Sequence, residues 1–107
     1  MLKIINNCIY HTRGDSGPLA YAPKLNGVLL TNYIATLSVK KSVDDDTYIY
    51  QKTFSNGTIF IDAADTNNLL PGKYVYDVQV SWTDNDGNKM IRTEGPFDYN
   101  LIADVTR

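Results

Sequence analysis

His11 and Cys8 are the residues of this chain best suited to nucleophilic or metal chemistry, and the sequence holds one histidine and one cysteine. A Ser–His–Asp or Cys–His centre would have to use His11. The two residues are three positions apart, and a β-strand would direct them to opposite faces. A structural zinc site normally takes four Cys or His ligands, and only two such residues exist. The pattern therefore favours a structural or surface role for His11.

Two acidic segments have residue types that hold cations. Residues 84–87 read Asp-Asn-Asp-Gly, as in part of a calcium loop, but an EF-hand with Gly87 at its sixth position needs an acid where Trp82 stands. Asn, Asp and Gly tolerate positive φ, so we interpret the segment as a tight turn. Residues 44–46 are three aspartates, interpreted as a solvated loop with cation binding as the alternative.

Other short motifs match functional patterns but fit turns equally well. Arg13, Gly14 and Asp15 form the tripeptide that integrins read, and residues 56–58 fit the glycosylation pattern. Without a secretion signal, we interpret both as turns. Paired carboxylates for glycoside hydrolysis stay open as an alternative, although most aspartates fall in predicted turns. The sequence contains no glycine-rich loop of the kind that cradles phosphates.

The composition indicates one globular domain, residues 1–107, with no repeat and no linker. The net charge is −2, and Lys40 and Lys41 are the only adjacent cations, which argues against nucleic-acid binding through phosphates. One cysteine permits no internal disulfide and fits a reducing compartment. We expect no signal peptide, no membrane span and no membrane partner, because long apolar runs are lacking.

Residues 72–82 show the clearest structural pattern of the chain. Tyr74, Tyr76, Val78, Val80 and Trp82 occupy every second position, which is typical of a strand with one buried face. The turn that follows predicts an antiparallel hairpin with a return strand over residues 88–93. Residues 94–96, Glu-Gly-Pro, predict a bulge before a last strand over residues 97–103.

The remaining strands must be placed around this hairpin. We expect them at residues 4–10, 19–22, 33–43, 48–54 and 58–62, with turns at residues 26–27 and a hairpin turn at residues 55–57. In the third of these strands, Ala35, Leu37 and Val39 are predicted to face the core. A short helical turn is expected within residues 63–70, capped by Asp62 or Asp65. Six or seven short strands predict an all-β fold, an antiparallel sandwich or small barrel.

Six segments share their order and spacing with one protein family. They are residues 13–17 (RGDSG), 35–42 (ATLSVKKS), 51–53 (QKT), 65–80 (DTNNLLPGKYVYDVQV), 86–88 (DGN) and 104–106 (DVT). The chain resembles the immunoglobulin-like N-terminal domain of the upper baseplate proteins of tailed bacteriophages, and related small tail proteins. The resemblance implies an immunoglobulin-like β-sandwich of about seven strands, without enzymatic activity or cofactor, that serves as an assembly module.

The resemblance also implies partners and a location. The chain would contact other tail or baseplate proteins, form a homo-oligomer in the particle, and assemble in the cytoplasm of the host bacterium. Upper baseplate proteins continue into a long C-terminal region, whereas this sequence stops at Arg107. We therefore expect an adaptor without a receptor-binding head, or alternatively a capsid decoration or connector protein.

Candidate contact residues follow from the eight tyrosines and the charged loops. Aromatic residues are favoured at protein interfaces when they are exposed. The candidate contact residues are Tyr10, Arg13, Asp15, Tyr21, Tyr33, Asp45, Tyr48 and Tyr50. A second hypothesis is a carbohydrate- or cell-surface-binding module that uses Tyr48 and Tyr50, and a third, weaker one is a small hydrolase.

Overall fold

A computed structural model describes residues 1–105, and its regular secondary structure is almost entirely strand. Thr106, the end of the segment 104–106, lies outside the described residues. The elements are β1 Leu2–Ile5, β2 Cys8–Thr12, β3 Gly17–Ala20, β4 Lys24–Leu25, β5 Val28–Leu29, β6 Tyr33–Lys40, β7 Tyr50–Phe54, β8 Thr58–Ile61, α1 Ala63–Thr66, β9 Gly72–Thr83 and β10 Lys89–Ile102. The predicted all-β class is confirmed.

The main sheet has six strands in the order β1-β2-β10-β9-β6-β7. Strands β3 and β8 form a separate pair, and β4 and β5 form a small hairpin. Side chains of the β3–β8 pair share one core with those of the main sheet. The sheet is mixed, because β2 and β10 run parallel. The expectation of a purely antiparallel fold is therefore wrong at this pair, which the long connection between the two strands makes possible.

The predicted β9–β10 ribbon is confirmed. Tyr74, Tyr76, Val78 and Val80 are buried, and Trp82 packs partly buried against the same core. Strand β6 lies on the other side of β9 and buries Ala35, Leu37 and Val39, as their alternation predicts. These three strands form the rigid centre of the sheet.

The predicted bulge in β10 decides which residues of this strand reach the core. Glu94 lies opposite Val78 and Phe97 lies opposite Tyr76, so two residues of β10 face one residue of β9. Even-numbered residues of β10 share the core-side face before the bulge, and odd-numbered residues share it afterwards. The bulge thereby brings Tyr99 into the core, where it is 1% exposed.

Two expectations about the strand connections are wrong. Residues 4–10 are not one strand: Asn6 and Asn7 have φ of 50° and 65° and turn the chain between β1 and β2. Asn is one of the few residues that tolerates this left-handed conformation, which a two-residue hairpin loop requires. Residues 55–57 do not close a hairpin, because β7 pairs with β6 whereas β8 pairs with β3. This turn instead carries the chain from one sheet to the other.

The helical turn is shorter than residues 63–70. It covers Ala63–Thr66, and the Asp62 N–H donates to the carboxylate of Asp65 at 2.9 Å. Leu69 packs against the core while Leu70 is exposed. The turn therefore closes one end of the core and brings Thr66 next to the loop that follows β2.

Candidate functional site

His11 lies at one end of a buried chain of hydrogen bonds. Its Nε2 is 2.7 Å from the backbone carbonyl of Asp15, which can only accept, so Nε2 carries the proton. Nδ1 then accepts from the Tyr99 hydroxyl at 2.5 Å, and Tyr99 accepts from the Tyr50 hydroxyl at 2.7 Å. His11 is fully buried, and Tyr50 is 9% exposed. The chain of donors thus runs from Tyr50 through Tyr99 to His11.

The environment keeps all three groups of this chain neutral. Burial lowers the pKa of His11 below 6.5, although the bond to Asp15 opposes that change. Burial also raises the pKa of Tyr50 and of Tyr99. Cys8 lies on the opposite face of β2 from His11, as the spacing predicts. Because both ring nitrogens are occupied, the arrangement supports folding and offers no base to a nucleophile.

The loop with the Arg-Gly-Asp tripeptide is tied into the fold. Arg13 contacts the carboxylate of Asp104 through Nε at 3.0 Å and donates to the Leu69 carbonyl at 3.3 Å. The Gly14 N–H donates to the Thr66 hydroxyl at 3.0 Å, and Asp15 pairs with the terminal ammonium group. The side chain of Arg13 is only 23% exposed. The Arg13 head group is therefore committed to internal contacts.

The tyrosines proposed as contact residues fall into three environments. Tyr33 and Tyr50 are buried, so the expectation that their rings are exposed is wrong: Tyr33 packs edge-on against Phe54, and Tyr50 packs edge-on against Tyr99. Tyr33 continues the core-facing alternation of β6, whereas the alternation of β7 is too irregular to show which way Tyr50 faces. Tyr10 is half-buried.

Tyr21 is also half-buried, and its hydroxyl donates to the carboxylate of Glu94. Its ring packs edge-on against Phe54. Burial and the neighbouring carboxylate raise the pKa of the Tyr21 hydroxyl. Tyr21 therefore ties the chain after β3 to the bulge of β10.

Only Asp45 and Tyr48 among the proposed contact residues are exposed, and both lie in the loop between β6 and β7. Tyr48 is 49% exposed, and the Lys40 ammonium lies 5.1 Å from the centre of its ring. The neighbouring aspartates of residues 44–46 are exposed as well. This loop keeps its predicted solvated character.

The acidic segment at residues 84–87 is a turn, as predicted. The Asp84 carboxylate accepts from the N–H groups of Asn88 at 2.8 Å and Asp86 at 3.0 Å. The bond from Asn88 lowers the pKa of Asp84. The carboxylate therefore stabilises its own turn. Over residues 1–105, no three His, Cys, Asp or Glu side chains are grouped closely enough to hold a metal ion.

An open sheet edge, residues 89–94 of β10, is one accessible feature of the fold, in addition to the outer edges of the terminal strands β1 and β7. On one side this segment pairs with β9 from Lys89 to Glu94. On its other side β2 begins to pair only at Tyr99. Within residues 1–105 no strand pairs with that side of the segment. Met90 is 38% and Ile91 is 59% exposed. We name this segment the β10 edge.

A groove of about 720 Å³ lies at the end of the β10 edge. The turn at Asn6 and Asn7 forms one side, and Tyr21 and Lys24 form the other. Glu94 and Phe97 complete it. The groove occupies the place where β2 would continue if the chain did not turn back into β1.

Arg92 connects the β10 edge to the β4–β5 hairpin. Its Nη2 donates to the Lys24 carbonyl at 2.8 Å and to Glu94 at 2.7 Å, and its guanidinium lies 5.7 Å from the centre of the Trp82 ring. Its Nε is buried and has no hydrogen-bond partner in the described part of the chain. An unpaired buried donor is costly.

Sequence reasoning missed the β10 edge because its exposure depends on where another strand starts. The Asn-Asn pair at residues 6–7 was a usable signal, since it ends β1 and delays β2. No protein-family model, curated protein or solved structure matches this chain. The described residues include no helix that is both long and apolar enough to cross a bilayer.

Proposed function

We propose that this chain is a non-enzymatic structural protein of a bacteriophage virion, a baseplate or tail adaptor that works through protein–protein contacts. The β10 edge carries the proposal, because unpaired strand edges are templates for another chain. The resemblance to upper baseplate domains supplies the expectation of a phage. The proposed site of assembly is the host cytoplasm, and the proposed partners are other tail or baseplate proteins and further copies of the chain.

The internal contacts of the polar residues support a binding role over a catalytic one. His11 uses both ring nitrogens within the fold, and Arg13 uses its guanidinium on Asp104 and Leu69. The polar atoms of these groups already make hydrogen bonds or ion pairs within the fold, which makes them poor candidates for binding a substrate. The apolar and backbone groups of the β10 edge, in contrast, are available to a partner.

An immunoglobulin-like arrangement of the sandwich is part of the same proposal. The β3–β8 pair and the main sheet enclose one core, as the layers of a sandwich do. The parallel β2–β10 pair differs from the purely antiparallel sheets expected of this sandwich, because it makes the main sheet mixed.

The carbohydrate-binding alternative loses one of its two proposed aromatic platforms. Tyr50 is buried and Tyr48 alone is exposed, so the pair offers one ring to a sugar. The capsid decoration or connector alternative uses the same contact chemistry at a different place in the particle. Locating the chain in the particle therefore separates the virion alternatives.

Gradient-purified particles from a strain that encodes the chain provide the test. We expect mass spectrometry to find the chain in fixed ratio to the tail proteins, and gold-labelled antibody against the chain to mark the tail tip in electron micrographs. Label on the head would instead assign it to the capsid. Particles complete in tail proteins but lacking this chain would refute a virion role.

A matched pair of variants tests whether the β10 edge mediates incorporation. Ile91→Lys places a charge on the edge, whereas Val43→Lys makes the same change at a residue of similar exposure, 57% against 59%, in the β6–β7 loop. Lysine on an edge strand is a natural block to strand addition. We expect Ile91→Lys to reduce the amount in particles and Val43→Lys to leave it unchanged. Equal incorporation of both would remove the β10 edge from the proposal.

A further inference from the structure

We propose that two copies of this chain pair antiparallel through their β10 edges, across a two-fold axis at Ile91, so that one sheet continues over both chains. The inference rests on the proposed role as an assembly module and names one partner, a second copy. Its chemistry is the completion of a β-ladder: free N–H and C=O groups of one edge meet those of the other. Two-fold symmetry is the commonest arrangement in homo-oligomers.

The two faces of the β10 edge have different surroundings. Residues 89, 91 and 93 lie opposite Thr83, Ser81 and Gln79 on the outer face of the sheet. Residues 90, 92 and 94 lie on the core side, where Arg92 reaches the Lys24 carbonyl. A two-fold axis perpendicular to the sheet preserves these faces, so only residues of equal parity can meet.

Charge distinguishes the two longest pairings that this parity allows, those centred on Ile91 and on Arg92. With the axis at Ile91, Lys89 faces Thr93 and Met90 faces Arg92 of the second copy, and no like charges are opposed. With the axis at Arg92, the Arg92 side chain of one copy faces the Arg92 side chain of the second copy. Like charges directly opposite each other destabilise a strand pair. The register centred on Ile91 is therefore favoured over the next one.

Apolar side chains on the outer face favour the same register. Ile34 of β6 lies beside Ser81 of β9, which lies beside Ile91 of β10. Ile34 and Ile91 are each 59% exposed. Pairing at Ile91 puts the Ile91 side chains of the two copies in contact. Burial of this surface favours association because apolar area leaves water.

The size of the contact sets its strength. With the axis at Ile91, each copy contributes five residues of the edge, Lys89 to Thr93. Such a strip falls below the roughly 1,200 Å² of total area that stable interfaces bury. We therefore expect a weak dimer in dilute solution that becomes populated where copies are held close together, as in a particle.

Site-directed disulfides test the register on the isolated chain. In a Cys8→Ser background, Ile91→Cys would face its own copy with Cα atoms about 4.5–5.5 Å apart, within the range that a disulfide spans. Thr93→Cys is the matched control, because its copy would be four residues away along the strand, about 13 Å. With oxidised glutathione as the oxidant, which is itself reduced as the protein disulfide forms, we expect a covalent dimer from Ile91→Cys and little from Thr93→Cys. Equal yields, or none from Ile91→Cys, would overturn the proposal.

Sedimentation equilibrium gives a second, cysteine-free measurement. We expect the unmodified chain and Val43→Lys to dimerise as concentration rises towards about 1 mM, and Ile91→Lys to stay monomeric at every concentration. Circular dichroism confirms that the variants are folded. An unmodified chain that stays monomeric throughout contradicts self-pairing. Because both measurements use the isolated chain, such a result would leave the virion assay, and with it the proposed function, standing.

Discussion

Removing the Tyr99 hydroxyl tests the buried hydrogen-bond chain at its middle member. Tyr99→Phe deletes the acceptor of Tyr50 and the donor to His11 Nδ1 in one step. Both partners are buried, so water cannot replace the missing group without a structural change. The ring itself keeps its packing, because Phe differs from Tyr only in the hydroxyl.

The expected magnitude follows from the number of groups left unpaired. A buried polar group without a partner costs about 1–3 kcal/mol. Tyr99→Phe leaves two such groups, so the free energy of unfolding should fall by roughly 2–6 kcal/mol. Tyr50→Phe removes the end of the chain and leaves Tyr99 still donating to His11. We expect it to cost only about 0.5–1.5 kcal/mol, the net worth of one neutral hydrogen bond.

Urea denaturation at pH 7.5, followed by the fluorescence of the single tryptophan, measures these values. The double variant should cost less than the sum of the two single variants, because Tyr50 is then no longer left without an acceptor. If Tyr99→Phe costs no more than Tyr50→Phe, Tyr99 is not the middle member on which both partners depend.

Three further outcomes are expected. Because folding lowers the pKa of His11, the unfolded chain binds more protons than the folded chain below pH 6.5, and the free energy of unfolding therefore falls as the pH decreases, by at most about 1.4 kcal/mol per pH unit. His11→Gln should reduce this slope in urea titrations between pH 7.5 and 5.5. An unchanged slope would exclude His11 as its source. Gly95 has φ of 120°, and an added Cβ would lie 3.0 Å from atoms of the facing β9 strand, whereas an added Cβ at Gly87, with φ of 84°, would have nothing within 4 Å. In thermal unfolding, we expect Gly95→Ala to cost about 3 kcal/mol or more and Gly87→Ala about 1 kcal/mol. Equal losses would contradict the close approach of Gly95 to β9. Leu37→Ala should lower the free energy of unfolding, measured in urea, by about 2–5 kcal/mol, because the Leu37 side chain is fully buried. Ile34→Ala, at an exposed position of the same strand, should change it by no more than about 0.5 kcal/mol. Similar losses for the two variants would contradict the assigned faces of β6.

Local patterns were sufficient to predict the ribbon and its bulge. Alternation from Tyr74 to Trp82 predicted the buried face of β9, and the Gly95–Pro96 pair predicted the interruption of β10. Both features depend on backbone geometry within a few residues. The turn at Asp84 was predictable for the same reason.

Partner choice was not predictable from the same patterns. The turn before β8 has the composition of a hairpin loop, yet β8 pairs with β3. The alternation of a strand fixes which residues share a face, but it does not say which strand lies beside it. The sequence therefore did not predict that Tyr50, a candidate for an exposed contact, packs against Tyr99 in the core.

The sequence by itself determined an all-β chain and the core face of β9. The tertiary structure alone decided that His11 meets Tyr99, 88 positions away, and that β2 pairs parallel to the end of β10. It also decided that residues 89–94 remain an open edge. The physical reason is that side-chain period is a local property, whereas strand neighbours are set by long-range packing in which every strand competes for the same core.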